Sequence, residues 1–155
     1  MDKTNVMRLL DSKSIKYNHY SYTKDLTDGV SVARALGQDE HRVFKTLVTV
    51  CPKGVCYVFV IPVCDSLDLK KSAKAVGVKS LEMLKQKDLL SKTGYIHGGC
   101  SPIGMKKLYR TTIHLTALSF ETIIFSAGKI GFQVELNPND ITNIIPVSFA
   151  DIVVE

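Results

Sequence analysis

Hydrophobic and polar residues follow two different periods in the first part of the chain. Val6, Leu9 and Leu10 recur at spacings of three and four, which predicts a short amphipathic helix. Residues 15–22 alternate and are rich in aromatic side chains, as is typical of a strand. A second helix is predicted over 28–36, because this segment begins at an aspartate that can cap a helix and is followed by a glycine suited to a left-handed end.

The most hydrophobic part of the chain predicts the centre of a sheet. Residues 46–50 and 55–63 are β-branched and apolar on both faces, which is typical of strands that are covered on both sides. Between them, Pro52 and Gly54 suit the second and fourth positions of a tight turn. We therefore expect a central hairpin.

The remaining segments are predicted to mix helices and strands irregularly. Helices are predicted over 68–76 and 80–93, strands over 110–115, 121–126, 132–136 and 144–147, and a short turn or helix at 137–140. Strands in hairpin-like clusters with helices inserted between them are typical of an α+β fold rather than of regular βαβ units. We expect a mixed, largely antiparallel sheet with inserted helices, curled into a barrel-like shape.

Length and composition predict one domain spanning residues 1–155. A chain of 155 residues with 45% hydrophobic and 23% charged residues is ordinary for a globular domain. The longest apolar run, 55–63, is too short to cross a membrane and is interrupted by Pro62. The first residues also lack the basic and apolar regions of a secretion signal. We therefore expect a cytoplasmic protein without a membrane segment.

The cysteines are expected to be reduced. They are Cys51, Cys56, Cys64 and Cys100. Disulfides are rare in reducing compartments, and a core of this size does not require them. The spacings also do not match the paired ligands of a structural zinc site. We expect small buried side chains at most of these positions, and neither a metal nor a cofactor.

Positive charge is concentrated in residues 70–110. This window holds ten basic and two acidic residues, whereas the rest of the chain holds ten basic and thirteen acidic ones. Clustered Lys and Arg favour a polyanionic partner, because binding to phosphates releases counterions. A lysine-rich surface that only faces solvent explains the same pattern, and charge alone does not decide between the two interpretations.

Familiar catalytic motifs do not occur in the sequence. It has no Gly-x-Ser-x-Gly elbow, no His-Glu-x-x-His, no phosphate-binding loop and no dinucleotide fingerprint. The histidines are scattered, and His19 and His114 fall in predicted strands, where a structural role is expected.

Two glycine-rich stretches and one lysine are the candidate chemistry. Residues 94–104 contain four glycines and a proline, so their backbone can approach a ligand closely and direct several N–H groups at one point. Residues 126–131 repeat this composition with a lysine included. A plain connecting loop explains such a stretch equally well. Lys45 precedes an apolar strand, where it either reaches solvent or holds its charge beside a cleft.

Three of these segments resemble one known family when taken in order and spacing. They are Val43-Phe44-Lys45-Thr46-Leu47-Val48, Gly94-Tyr95-Ile96-His97-Gly98-Gly99-Cys100-Ser101-Pro102-Ile103-Gly104 and Ser126-Ala127-Gly128-Lys129-Ile130-Gly131. The chain resembles the YbaK family of bacterial aminoacyl-tRNA deacylases, which is related to the editing domain inserted in prolyl-tRNA synthetases. The resemblance covers essentially the whole chain and implies a mixed α+β domain with a barrel-like sheet.

The resemblance implies that two segments carry the reaction. Lys45 matches the family's lysine and would bind the phosphate or ribose at the acceptor end of tRNA. The loop from Gly98 to Pro102, with Gly99 and Ser101, matches the loop that would hold the ester carbonyl through backbone contacts.

Other residues are implied to line the pocket or to contact RNA. Tyr20 and Ser126 match pocket positions. A position that is often acidic in the family falls on Gln133, which can form hydrogen bonds but cannot act as a base. Glu135 shares that strand face and is the candidate substitute. In the basic window, Lys106 and Lys107 are expected to contact RNA.

The implied substrate is cysteine esterified to tRNA(Pro), and also to tRNA(Cys). In the family's reaction the substrate's thiol attacks its own carbonyl and releases a thiolactone and free tRNA, a lyase-type cleavage without a cofactor. Cys100 is therefore not expected to be a nucleophile. Prolyl-tRNA synthetase is a candidate partner. The alternatives are an Ala-tRNA(Pro) deacylase and a non-catalytic module that binds tRNA or a synthetase.

Overall fold

The computed structural model describes residues 2–155, which form short helices and two sheets. The α-helices are α1 (Asn5–Ser12), α2 (Gly29–Ala35), α3 (Leu69–Val76), α4 (Gln86–Thr93) and α5 (Pro138–Ile141), with a 3-10 helix at Leu115–Ser119. The strands are β1 (Asn18–Ser21), β2 (Phe44–Val50), β3 (Cys56–Pro62), β4 (Glu82–Met83), β5 (Thr111–His114), β6 (Ile123–Ser126), β7 (Phe132–Leu136) and β8 (Val147–Ala150).

The strands form one antiparallel and one mixed sheet, which confirms the α+β class. The small sheet has the order β1-β7-β6 and is antiparallel throughout. The large sheet has the order β4-β2-β3-β5-β8, in which β5 is parallel to both of its neighbours. Strand pairing within residues 2–155 closes neither sheet into a barrel. The two sheets meet just before β2, where Val43 forms a parallel bridge with Ile124 and the Ile124 backbone N–H donates to the Arg42 carbonyl.

The predicted helix ends are formed by local hydrogen bonds. The Thr4 side chain accepts from the Met7 backbone at the start of α1, and Asp28 caps α2 by accepting from the Ser31 backbone N–H. Gly77 ends α3 in the left-handed conformation, with φ of 74°. These caps depend on neighbours in sequence, which is why the pattern of residues located them.

Two predicted elements are wrong, in both cases because strand pairing decides the outcome. The helix predicted over 80–93 is present only from Gln86 onward, since residues 82–83 pair with the edge of β2 as β4. The last strand, predicted over 144–147, instead runs from Val147 to Ala150 beside β5. Pro146 lacks an N–H group, so the ladder begins after it.

The hairpin of β2 and β3 is covered on both faces, which confirms its central position. On one face Val48 and Val58 pack with α1 and with the small sheet, and on the other Phe59 and Ile61 pack with α3. The four cysteines are free thiols, two of them buried. No helix in residues 2–155 is long and apolar enough to cross a membrane.

Candidate functional site

Several predicted site residues line one cavity of about 420 Å³, called the main cavity below. Its walls come from residues 22–32, the first half of β2, the loop 97–100, and the facing ends of β6 and β7. This volume lies in the range of cavities that bind small organic groups. The main cavity therefore brings together segments that are far apart in sequence.

Lys45 lines the main cavity from the second position of β2. It is held opposite Ile61 in the β2–β3 ladder, so its backbone is fixed by the centre of the large sheet. Its ammonium group forms no ion pair with any residue in 2–155. A half-buried cation without an acidic partner is suited to bind an anionic or strongly polar ligand group.

The glycine-rich loop contributes backbone to the main cavity at Gly98. Gly98 lines the cavity with φ of 86°, a conformation that favours glycine. At Gly99 an added Cβ would lie 3.1 Å from the Ile130 nitrogen, so the absence of a side chain lets the two glycine-rich segments pack together. Ser101 is buried behind this loop, and its hydroxyl accepts from the Ile103 backbone N–H at 3.4 Å.

Cys100 follows the two glycines and also lines the main cavity. Burial raises the pKa of its thiol to about 12, although a hydrogen bond with Thr93 opposes the shift. At neutral pH the side chain is therefore protonated, which is unsuited to a nucleophile.

Ser126 and Gln133 face each other across the β6–β7 pair, and both line the main cavity. The Ser126 hydroxyl accepts from the Gly128 backbone N–H at 3.1 Å, which leaves its own proton available for donation. The side-chain amides of Gln133 and Gln38 exchange two hydrogen bonds, of 2.8 and 3.3 Å. Gln133 thus presents a neutral, fixed amide where the resemblance implied a carboxylate.

Glu135 is the centre of a separate polar cluster outside the main cavity. One of its oxygens accepts from the Tyr20 hydroxyl and, at 3.4 Å, from Asn18. The other accepts at 2.6 Å from both Arg42 and Thr122. Tyr20 therefore contacts Glu135 and does not line the main cavity, contrary to the sequence prediction. Glu135 does not line it either, so it does not replace Gln133 as a candidate base there.

Comparison with known proteins identifies the family. A family model described as the aminoacyl-tRNA editing domain matches residues 23–144. The chain belongs to the aminoacyl-tRNA editing domain family. The resemblance drawn from the three motifs is therefore confirmed.

Individual relatives match this editing domain over nearly its full length. A protein of Enterococcus faecalis, provisionally named Cys-tRNA(Pro)/Cys-tRNA(Cys) deacylase EbsC, is 48% identical over 152 residues, which are 97% of this chain and 93% of that protein. A crystal structure provisionally described as a trans-editing enzyme for prolyl-tRNA synthetase has a TM-score of 0.84 at 20% identity and covers 99% of this chain and 100% of its own. The crystal structure of a hypothetical protein has a TM-score of 0.86 at 19% identity and covers 97% and 100%. Both structural matches support the fold alone.

Several residues of the editing domain that line its main cavity were not predicted from the sequence. Lys24 and Asp28 come from the segment before α2, Thr46 follows Lys45, and His97 precedes Gly98. The Thr46 hydroxyl oxygen is buried and has no hydrogen-bond partner in residues 2–155. Thr46 and His97 lie inside the three motifs that carry the family resemblance, so the sequence could have indicated them as site residues. The role of Gln38 could not be predicted from the sequence, because its hydrogen-bond partner Gln133 is 95 residues away.

Of the predicted loop residues, Gly98 lines the main cavity, whereas Gly99, Ser101 and Pro102 do not. All three are buried. They support the loop from behind, so Gly98 and Cys100 are the positions of the loop 98–102 that a ligand in the cavity can reach.

The basic window of the editing domain divides into two parts. In α3, Lys71 pairs with Asp151 at 3.0 Å and with Glu155 at 3.5 Å, which neutralises much of its charge. Near the end of α4, the Lys106 backbone N–H donates to the Thr93 carbonyl at 3.0 Å, so Lys106 and Lys107 lie beside α4 and are exposed. Lysines without an ion pair within residues 2–155 therefore lie on both sides of the window, and Lys106 and Lys107 are the ones beside the end of α4.

Substitution of Glu135 by glutamine is expected to lower the free energy of unfolding of the editing domain by about 2–4 kcal/mol. The carboxylate is buried and its partner Arg42 is about one-third exposed, so removing the charge leaves a cation with reduced solvation. Chemical denaturation of both proteins measures the change. The matched control is Asp11→Asn, because the Asp11–Lys3 ion pair is exposed and is expected to contribute little. Equal losses in the two variants would contradict the structural role of Glu135.

The shifted pKa of Glu135 makes the stability of the folded protein depend on pH. Burial raises the pKa of Glu135, but its hydrogen bonds and the charge of Arg42 outweigh burial and hold the pKa below the ordinary glutamate value. The folded state therefore binds its proton less readily than the unfolded chain, and the resulting stability is lost as the pH falls below about 4. Over this acidic range the parent protein should lose more stability than Glu135→Gln.

Proposed function

We propose that this chain is an aminoacyl-tRNA deacylase that removes cysteine from tRNA(Pro) and from tRNA(Cys). The observation that carries the proposal is the 48% identity, over 97% of the chain, with the relative provisionally named as such a deacylase. The main cavity supports it, since its volume suits an aminoacyl group and the terminal ribose, and since a cation, backbone groups and neutral donors line it.

In the proposed complex, each wall of the main cavity has one task. Lys45 binds the phosphate or ribose of the terminal adenosine through a charge-assisted contact. The backbone at Gly98 holds the ester carbonyl, and the Ser126 hydroxyl and the Gln133 amide bind polar atoms of the substrate. An aminoacyl ester is already activated, so positioning and charge stabilisation supply most of the required rate enhancement.

The proposed nucleophile is the thiol of the substrate. Its sulfur attacks the carbonyl carbon, a C–S bond forms, the C–O bond to the ribose breaks, and a thiolactone and free tRNA leave. This reaction requires no protein nucleophile, in keeping with the protonated state of the Cys100 thiol. The cleavage is formally of the lyase type and uses no cofactor.

Deacylation of labelled Cys-tRNA(Pro), Cys-tRNA(Cys) and Ala-tRNA(Pro) by the purified protein tests the proposal. We expect fast release of cysteine from both tRNAs and slow release of alanine. Preferential release of alanine would instead support an Ala-tRNA(Pro) deacylase. Binding of tRNA without release of any amino acid would support the non-catalytic module.

The proposal also includes a cellular compartment and a protein partner. Substrates of this kind are made in the cytoplasm, where we place the protein. Prolyl-tRNA synthetase is the proposed partner, because it produces the mischarged tRNA. A pull-down between the two purified proteins, with and without tRNA(Pro), tests this part, and no retention in either case would contradict it.

Reversal of charge at Lys106 and Lys107 is expected to weaken tRNA binding. Both side chains are exposed beside α4 and have no ion pair in residues 2–155. If each contacts a phosphate, Lys106→Glu together with Lys107→Glu should lower the slope of log affinity against log salt by about 1 per lysine. Filter binding of uncharged tRNA(Pro) over a series of salt concentrations measures this slope.

The matched control for this pair is Lys13→Glu with Lys53→Glu, two exposed lysines outside the basic window. Both double variants change the net charge equally, so a non-specific effect of charge would be the same in each. Identical salt slopes in the two double variants would remove the α4 side from the proposed RNA interface.

A further inference from the structure

His97 occupies a distinctive position in the main cavity. It precedes Gly98 in the glycine-rich loop and lines the main cavity with an exposed imidazole. The ring forms no hydrogen bond or ion pair with any residue in 2–155. Its nitrogen atoms are therefore free to exchange a proton with a bound ligand.

The other histidines are placed elsewhere. His114 is buried, and its Nδ1 accepts from the Ile152 backbone N–H at 3.3 Å. The Nδ1 of His41 lies 3.4 Å from the sulfur of Cys64, and the His19 ring lies 6.5 Å from the Tyr17 ring in a tilted arrangement. None of these three lines the main cavity.

The remaining titratable side chains that line the main cavity are poorly suited to accept a proton at neutral pH. Lys24 and Lys45 are cationic, and Tyr22 is a weak acid. Asp28 already accepts two hydrogen bonds of 2.8 Å from Ser31 as a helix cap, and these bonds lower its pKa. The Cys100 thiol is protonated. Imidazole, by contrast, accepts and returns protons readily near neutral pH.

We propose that His97 is the general base that removes the proton from the substrate's thiol. This inference rests on the proposed function. The imidazole takes the S–H proton, the sulfur electron pair attacks the ester carbonyl carbon, and the C–O bond to the ribose breaks. The imidazolium then returns the proton to the departing ribose oxygen. The products are a thiolactone, free tRNA and neutral His97, so protons and electrons balance.

The position of His97 along the loop fits this role. Gly98 is the residue whose backbone holds the ester carbonyl in the proposed complex, and the thiol lies on the carbon two bonds from that carbonyl carbon. His97 and Gly98 line the same cavity as neighbours in sequence, so the imidazole lies close to the place where the reacting carbonyl is held in the proposed complex. Because the side chain is exposed, its replacement does not open a cavity in the core.

The decisive experiment compares His97→Gln with His41→Gln in single-turnover deacylation of Cys-tRNA(Pro). We expect a decrease of about 100-fold for His97→Gln and no change for His41→Gln, since general base catalysis typically contributes 100-fold or more. Affinity for uncharged tRNA(Pro) should stay within about twofold of the parent, because no phosphate contact is removed. Imidazole added to His97→Ala should restore part of the rate in proportion to its concentration.

Each outcome bears on one of the two proposals. If the parent is active and His97→Gln keeps its full rate, the role of His97 is overturned and the proposed function stands. A loss of rate that imidazole does not restore, accompanied by weaker tRNA binding, assigns His97 to structure and overturns it as a base. A parent that releases no cysteine overturns the proposed function and, with it, the role of His97.

Discussion

Cys-tRNA(Pro) is expected to be deacylated at least about 100-fold faster than Ser-tRNA(Pro), although the two aminoacyl groups have nearly the same shape. At neutral pH a thiol supplies far more of its nucleophilic anion than a hydroxyl does. An attacking group that is tethered to its target also gains from a high effective concentration. Because Cys100 is protonated, the protein supplies no competing thiolate in the main cavity. Single-turnover rates on the two substrates measure the ratio.

Two controls separate attack by the substrate from attack by water or by the protein. Cys-tRNA(Pro) that is alkylated on sulfur should resist cleavage, because its sulfur has no proton to lose and carries a blocking group. Cys100→Ala should keep most of the activity of the parent. Fast release of S-alkylcysteine would show that an activated water carries the reaction, and inactivity of a folded Cys100→Ala protein would show that the protein's thiol does.

Substitution of Lys45 by alanine is expected to lower kcat/KM for Cys-tRNA(Pro) by about 10- to 150-fold. This range corresponds to about 1.5–3 kcal/mol for a lost charge-assisted hydrogen bond. Lys45 is half-buried on the wall of the main cavity and has no ion pair in residues 2–155, so its charge is available to the substrate. Steady-state kinetics together with a denaturation curve distinguish a loss of activity from a loss of folding.

Lys53→Ala is the matched control for this prediction. Lys53 lies in the turn at the other end of the same hairpin and is exposed, so it shares the element with Lys45 but not the main cavity. Full activity is expected for this variant. A folded Lys45→Ala protein as active as Lys53→Ala would remove Lys45 from the proposed site.

The local features of the fold could be predicted from the sequence. Helix starts at Asp28 and Asp68 and the helix end at Gly77 follow from hydrogen bonds between near neighbours. Pairing between distant strands could not be predicted in this way. The edge of β2 takes up residues 82–83, which by their own pattern resemble the start of α4. The parallel neighbours of β5 come from segments up to about 50 residues away, and their register depends on packing across the whole core.

The residues of the candidate site were likewise predictable only in part. Lys45, Gly98, Ser126 and Gln133 were predicted through motifs, and the structure brings them to one cavity. Tyr20 was predicted to line it as well, but its hydroxyl donates to Glu135 instead. The register of β1 and β7 places Tyr20 and Gln133 opposite each other. The packing around each side chain then determines that the Tyr20 hydroxyl reaches Glu135 and the Gln133 amide reaches Gln38.

The family, the central hairpin and the residue types available for the reaction follow from the order of residues alone, because motifs and local periodicity involve consecutive positions. Which of those residues share a cavity depends instead on contacts between segments that are distant in sequence. The meeting of Val43 with Ile124 joins the two sheets, and the amide pair of Gln38 and Gln133 links segments 95 residues apart. Such contacts are set by the packing of the whole chain, in which each distant pairing is stable only when the others have formed.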